Sequence, residues 1–94
     1  MKTIIDQALI MPKPKDNETV SELTKRSGHP SISEYDKEFG ELFTSIYNTQ
    51  NGKDGFYWEF YVNKVISKIG ADEYKLNSND EVIWLFMKPY VEPI

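Results

Sequence analysis

Cysteine is absent from this 94-residue chain and histidine occurs once. Without thiols there is neither a disulfide framework nor a thiolate metal site, and one imidazole cannot assemble a histidine-based one. Long apolar runs are missing too. Asp6 and Gln7 interrupt the apolar start, and Pro12 closes the next run after Ala8, Leu9, Ile10 and Met11. Neither an export signal nor a membrane span is read from stretches this short. The compartment stays open between the cytoplasm and an exported mature domain. Positive charge is also in deficit: Lys and Arg total 11 against 15 Asp and Glu, a net charge of −4. Phosphate binding needs clustered cations, so nucleic acid is not the expected partner. Lys13, Lys15, Lys25 and Arg26 form the only local basic grouping, interrupted by acids, and read as a solvated face.

The same poverty bears on catalysis, which needs a placed nucleophile, base or metal. His29 precedes Pro30 after an expected helix end, where it is read as a partner for the last helical carbonyls rather than as a base. The oxygen-rich run Asn77 to Glu81 lacks the alternating ligands and fixed glycine of an EF-hand loop. Asn17-Glu18-Thr19 fits a glycosylation acceptor, a pattern that matters only in a secreted eukaryotic chain. The ending Val91-Glu92-Pro93-Ile94 does not supply the Gly-Gly of a sulfur-carrier or ubiquitin-like tail. No enzyme, cofactor or metal is expected.

What is present is aromatic weight, 14% of residues, and this must carry the packing of a single domain spanning 1–94. Thr3 to Met11 reads as a strand stopped by Pro12 and Pro14. Thr19 and Glu22 form a capping box and Gly28 stands at a left-handed stop, so a short helix lies between, with Val20 and Leu23 inward. The polar segment His29 to Lys37 reads as a loop. Leu42 to Tyr47 is a second strand. Asn51-Gly52 and Asp54-Gly55 are turn dipeptides.

Phe56 to Val62 alternates strictly: Phe56, Trp58, Phe60 and Val62 face one way, Tyr57, Glu59 and Tyr61 the other. Asn63-Lys64 turns into a short strand at Val65 to Lys68. Gly70 to Tyr74 is a single helical turn, and Asn77 to Asp80 a turn cluster. Val82 to Met87 closes the sheet, and Pro89 and Pro93 predict that the sheet ends there. The pattern is α+β, with about five strands and one short helix packed on one face.

Three stretches, Glu-Thr-Val-Ser-Glu-Leu at 18–23, Phe-Tyr-Trp-Glu-Phe-Tyr-Val-Asn at 56–63 and Gly-Ala-Asp-Glu-Tyr-Lys-Leu-Asn-Ser-Asn-Asp-Glu-Val-Ile-Trp at 70–84, carry a likeness. In this order they resemble the domain of unknown function related to the C-terminal domain of transcobalamin and intrinsic factor. The resemblance implies a β-grasp-like mixed sheet, no intrinsic catalysis, and a carrier role in which such a domain closes over a corrinoid. It also implies an exported or surface-attached setting. Two departures stand out. Asn63-Lys64 replaces the usual Asn-Gly hairpin, which predicts a longer or different loop because lysine disfavours positive φ. Asn79-Asp80 replaces Gly-Asp, a mild change since asparagine tolerates a left-handed backbone.

The last strand is the anomaly. If Phe56, Trp58, Phe60, Val82, Trp84 and Phe86 lie under the helix, then Tyr57, Tyr61, Ile83, Leu85 and Met87 share the opposite face. A sheet with one solvated face should alternate apolar with polar, and Val82 to Met87 does not. Something is expected to cover both faces. One candidate is the chain itself, through Tyr90-Val91 or the His29–Lys37 loop with Ile32 and Tyr35. The other is a protein partner, a second copy or a small apolar ligand seated on Tyr57, Tyr61, Ile83, Leu85 and Met87. The resulting expectation is a non-enzymatic binding module. A corrinoid-like carrier fragment and an inhibitor or adaptor of a phage or mobile element are the alternatives.

Overall fold

The helix forms because its first turn is closed at both ends of a capping box. Thr19 Oγ1 accepts from Glu22 N–H at 3.1 Å while Glu22 Oε1 accepts from Thr19 N–H at 2.9 Å. In the computed structural model, which describes residues 2–90, this helix, α1, runs Val20–Arg26. Seven residues do not hold a helix in water, so α1 depends on Val20, Leu23 and Thr24, all fully buried. Gly28 takes φ +86° just beyond the C-cap Ser27. The Arg26 guanidinium reaches back to grip the Glu18 carboxylate through two bonds of 2.8 and 2.9 Å.

Seven strands surround it among the described residues: β1 Lys2–Ile10, β2 Ser31–Asp36, β3 Gly40–Ile46, β4 Thr49–Gln50, β5 Tyr57–Val62, β6 Val65–Ile66 and β7 Val82–Tyr90. The expected single mixed sheet is corrected here. The strands divide into a four-stranded sheet ordered β1-β7-β5-β6 and a three-stranded sheet ordered β2-β3-β4, and every pairing is antiparallel. Short connections explain the direction of β2–β3, β3–β4 and β5–β6, since parallel neighbours need a crossover of a dozen or more residues.

Helix and small sheet pack on the same face of the large one. Trp58, Phe60, Val62, Val82, Trp84 and Phe86 line that face and are buried with Phe43 and Ile46 of β3 and Val20 and Leu23 of α1. At about 1.5–3 kcal/mol for each large apolar side chain removed from water, this cluster is the main source of stability. Trp84 anchors it: its ring lies 5.1 Å from that of Phe43, and its indole N–H donates to Thr24 Oγ1 at 2.8 Å.

Three local expectations change. Ser31–Asp36 is a strand, not a loop; it is an edge strand with Ile32 and Tyr35 exposed, so no apolar alternation marks it. Asn63 and Lys64 make a tight two-residue hairpin with φ +51° and +70°, closed by the Val62–Val65 pair. The lysine is held there because Asn63 is pinned on three sides. Its N–H donates to Glu81 C=O, its Oδ1 accepts from Glu81 N–H and its Nδ2 donates to Asp80 Oδ1. Finally, β7 continues through Pro89, which pairs with Thr3. The odd-numbered backbone groups of β7 point toward β5, and β5 begins at Tyr57, opposite Met87. Proline therefore removes a donor that faces no strand. Pro93 lies outside the described residues.

One side chain joins the two sheets. Asn51 donates its N–H to Thr44 C=O at 2.8 Å and its Nδ2–H to Phe43 C=O at 3.1 Å, both on β3, and accepts from Trp58 N–H of β5 at 2.8 Å. We predict that Asn51→Ala, which orphans Trp58 N–H and Phe43 C=O, costs about 1–3 kcal/mol in chemical denaturation. A loss indistinguishable from zero would show that water replaces the bridge.

The Glu18–Arg26 grip gives a second test. Chiefly through the hydrogen bond from Arg26, the Glu18 carboxyl falls from 4.5 to about 2. A depressed carboxyl contributes stability above its unfolded value and loses it as pH falls through the folded one. Arg26→Met is therefore expected to be destabilised at neutral pH, with the deficit disappearing between pH 4.5 and about 2. A deficit independent of pH would mean that Arg26 acts only through its packing.

Candidate functional site

Strand alternation that buries Trp58, Phe60, Trp84 and Phe86 turns their neighbours outward. The register places Tyr57, Met87 and Ile5 in one cross-strand row, Glu59, Leu85 and Ala8 in the next, and Tyr61, Ile83 and Ile10 in a third, with Ile66 beside Tyr61. All five residues singled out from the sequence, Tyr57, Tyr61, Ile83, Leu85 and Met87, therefore share one face of the four-stranded sheet.

No element packs over that face among the described residues. Ile10 is 71% exposed, Ile5 53% and Tyr57 51%, while Tyr61, Ile83, Leu85 and Met87 are half-buried by their lateral neighbours alone. Of the internal covers expected, the loop is corrected: His29 to Lys37 contributes β2 to the other sheet, and its Ile32 and Tyr35 are themselves exposed. Val91 lies outside the described residues.

Sequence reasoning missed the contribution of β1. The cause is a bulge between Ile5 and Gln7, which shifts the register by one residue. Ile5 and Ile10 differ in parity, so strict alternation would put them on opposite faces, yet the extra residue Asp6 brings both outward with Ala8.

A carboxylate stands in the middle of this apolar field. Glu59 faces Leu85, with Tyr57 and Tyr61 flanking it along β5. Burial pushes its carboxyl above the usual range. Burial and then the Glu59 charge push the Tyr61 hydroxyl up as well. That hydroxyl donates to Met87 Sδ at 3.1 Å, which ties β5 to β7 across the face.

The remaining chemistry-bearing groups are occupied structurally. His29 does not meet the helix carbonyls. Its Nδ1 lies 2.7 Å from the Tyr47 hydroxyl, and the rings meet edge to face at 5.0 Å. In the 77–81 turn, Asp80 accepts from Asn77 N–H and Asn63 Nδ2, and Asp16 accepts from Ser78 N–H. Among the described residues no group of three or more His, Asp or Glu is placed to hold a metal ion, and no helix is long and apolar enough to cross a membrane.

Comparison with known proteins adds one finding. The model of the family described as a domain of unknown function (DUF4430) matches residues 17–88, from the turn before α1 to β7. No curated protein and no solved structure matches, and the family match carries no link to the cobalamin carriers. With the match spanning α1, β2 to β6 and most of β7, the chain belongs to the DUF4430 family.

Proposed function

We propose that this domain is a non-enzymatic binding module that grips a protein partner through the outer face of its four-stranded sheet. The observation that carries the reading is the run of apolar side chains across three strands, with no layer over them among the described residues. Exposed apolar patches of this kind mark interaction surfaces. An open sheet face spread over three strands favours a macromolecule over a small ligand, because small-molecule sites are concave. Tyr57 and Tyr61 supply rigid contact area with polar tips, and Ile5, Ile10, Ile83, Leu85 and Met87 supply desolvation.

The corrinoid-carrier reading and the β-grasp likeness rest on the family resemblance and on a helix packed against one sheet face. Both rank behind the first reading, which rests on side chains placed on the face itself. The absence of thiols, and the engagement of His29 with Tyr47, support a role without catalysis.

Leu85→Lys tests the face. Lysine is chosen because Glu59 stands directly opposite, so the new charge is paired while the apolar field is broken. The variant is expected to keep its circular dichroism spectrum and its cooperative melt. It should lose concentration-dependent sedimentation, or capture of the native partner, by tenfold or more in affinity (on the order of a single central contact). Unfolding of this variant together with Ile10→Lys would instead make the face part of the core.

Glu59 supplies a pH test. A carboxyl whose folded value is raised leaves stability intact below its unfolded value and costs stability as pH rises through the folded one. Glu59→Gln is therefore expected to melt higher than wild type at neutral pH and equally in mild acid. An equal gain at both pH values would remove the desolvated charge as its cause.

A further inference from the structure

On the inner side of β5 the two sheets part and leave a groove. It holds about 320 Å³, with Phe43, Phe60 and Trp84 among its lining and Leu42, Tyr57 and Ile69 among the exposed residues around it. Both of its long walls are strand edges without a partner strand. β4 pairs with β3 only at Ser45 and Ile46, and β6 pairs with β5 only at Tyr61 and Val62. Residues 41–43 and 58–60 therefore face each other with their outer edges open.

The backbone groups along these edges can be assigned. A strand residue points its N–H and C=O to the same side. On β5, Trp58 N–H donates to Asn51 Oδ1 and Phe60 C=O accepts from Ser67 N–H, so both residues turn away from β7. On β3, Glu41 N–H donates to Asp72 Oδ1, which turns Glu41 away from β2, the Leu42 groups toward it and the following N–H, that of Phe43, away again; Phe43 C=O also points away, accepting from Asn51 Nδ2 beside the register shift opposite Ile32 and Ser33. The second group of each residue follows: Trp58 C=O and Phe60 N–H on one wall, Glu41 C=O and Phe43 N–H on the other. None of the four has a protein partner among the described residues.

We infer that this groove binds an extended peptide segment, which pairs with β3 and β5 at once and joins the two sheets through itself. Each wall offers an acceptor and a donor flanking one residue, Leu42 or Glu59, which is the pattern an added strand satisfies. Asn51 shows what fits. At one end of the groove its carboxamide already takes the place of a peptide group, donating to Phe43 C=O and accepting from Trp58 N–H. At the other end Asp72 and Ser67 cap Glu41 N–H and Phe60 C=O. The open window is two to three residues long on the strand rise of about 3.3 Å, and the aromatic lining takes one large apolar side chain. The site differs from the outer face in the groups it uses, the edge of β5 rather than its outward side chains, although Tyr57 and Glu59 border both.

The test titrates the ¹⁵N-labelled chain with acetyl-Ala-Phe-Ala-amide and with the same peptide methylated on its backbone nitrogens. Pairing should move the Phe43 and Phe60 amide resonances downfield and saturably. The methylated peptide should bind roughly tenfold more weakly, having lost its donors. Leu85→Lys should bind the first peptide like wild type. Phe43 and Phe60 amides unmoved at millimolar peptide would overturn the inference. Equal binding of the methylated peptide would also overturn it, because the groove would then be an apolar pocket for a side chain or small molecule alone. A loss of peptide binding in Leu85→Lys would merge this site with the outer face and end its independence.

Discussion

Trp84 is where three layers meet, and the placement of everything else follows from how it is satisfied. Its ring packs 5.1 Å from Phe43 of the small sheet and 5.2 Å from Phe60 of its own. Its indole N–H donates to Thr24 Oγ1, whose own hydroxyl proton goes to Val20 C=O at 2.7 Å. A buried indole N–H without a partner costs about 1–3 kcal/mol, so the bond sets where α1 can lie on the sheet. The helix is too short to choose its own position. It sits where Trp84 needs an acceptor, and β3 fills the space beside it.

That arrangement has a consequence for the opposite face. Helix and small sheet are both drawn to the inner side of β7, so nothing in the described chain remains to cover its outer side. The inner and outer side chains of β7 are alike in chemistry: Val82, Trp84 and Phe86 inward, Ile83, Leu85 and Met87 outward. They differ in what lies over them. Lateral contact with β1 and β5 half-buries the outward set, which lowers the cost of exposing it without removing that cost. A partner would gain from finishing what the lateral contacts begin.

Where local chemistry decided the structure, it was legible in the sequence. The capping box at Thr19 and Glu22, the left-handed Gly28, and the alternation of Phe56 to Val62 all stand where the residues place them. The five outward residues were legible as well, because they follow from parity within two strands. What was hidden depends on neighbours. β2 is a polar edge that exists only because β3 pairs with it. Lys64 accepts positive φ only because Asn63 is tied to the 80–81 turn. Pro89 extends β7 only because β5 has not begun beside it. The bulge at Asp6 reverses the parity of half of β1, which no pattern within β1 reveals. Asn51 read as a turn residue, and only the fold shows it spanning two sheets.

With both proposals in place, β5 would carry two kinds of recognition at right angles to each other. Its odd-numbered side chains stand on the outer face, and its even-numbered backbone groups open onto the groove. Loading one surface does not consume the groups of the other. The strand does, however, connect them, because Tyr57 and Glu59 belong to the face and also border the groove. Glu59 is the shared carboxylate: water still reaches it, partial burial already pushes its carboxyl above the usual range, and either occupant would withdraw it further from water.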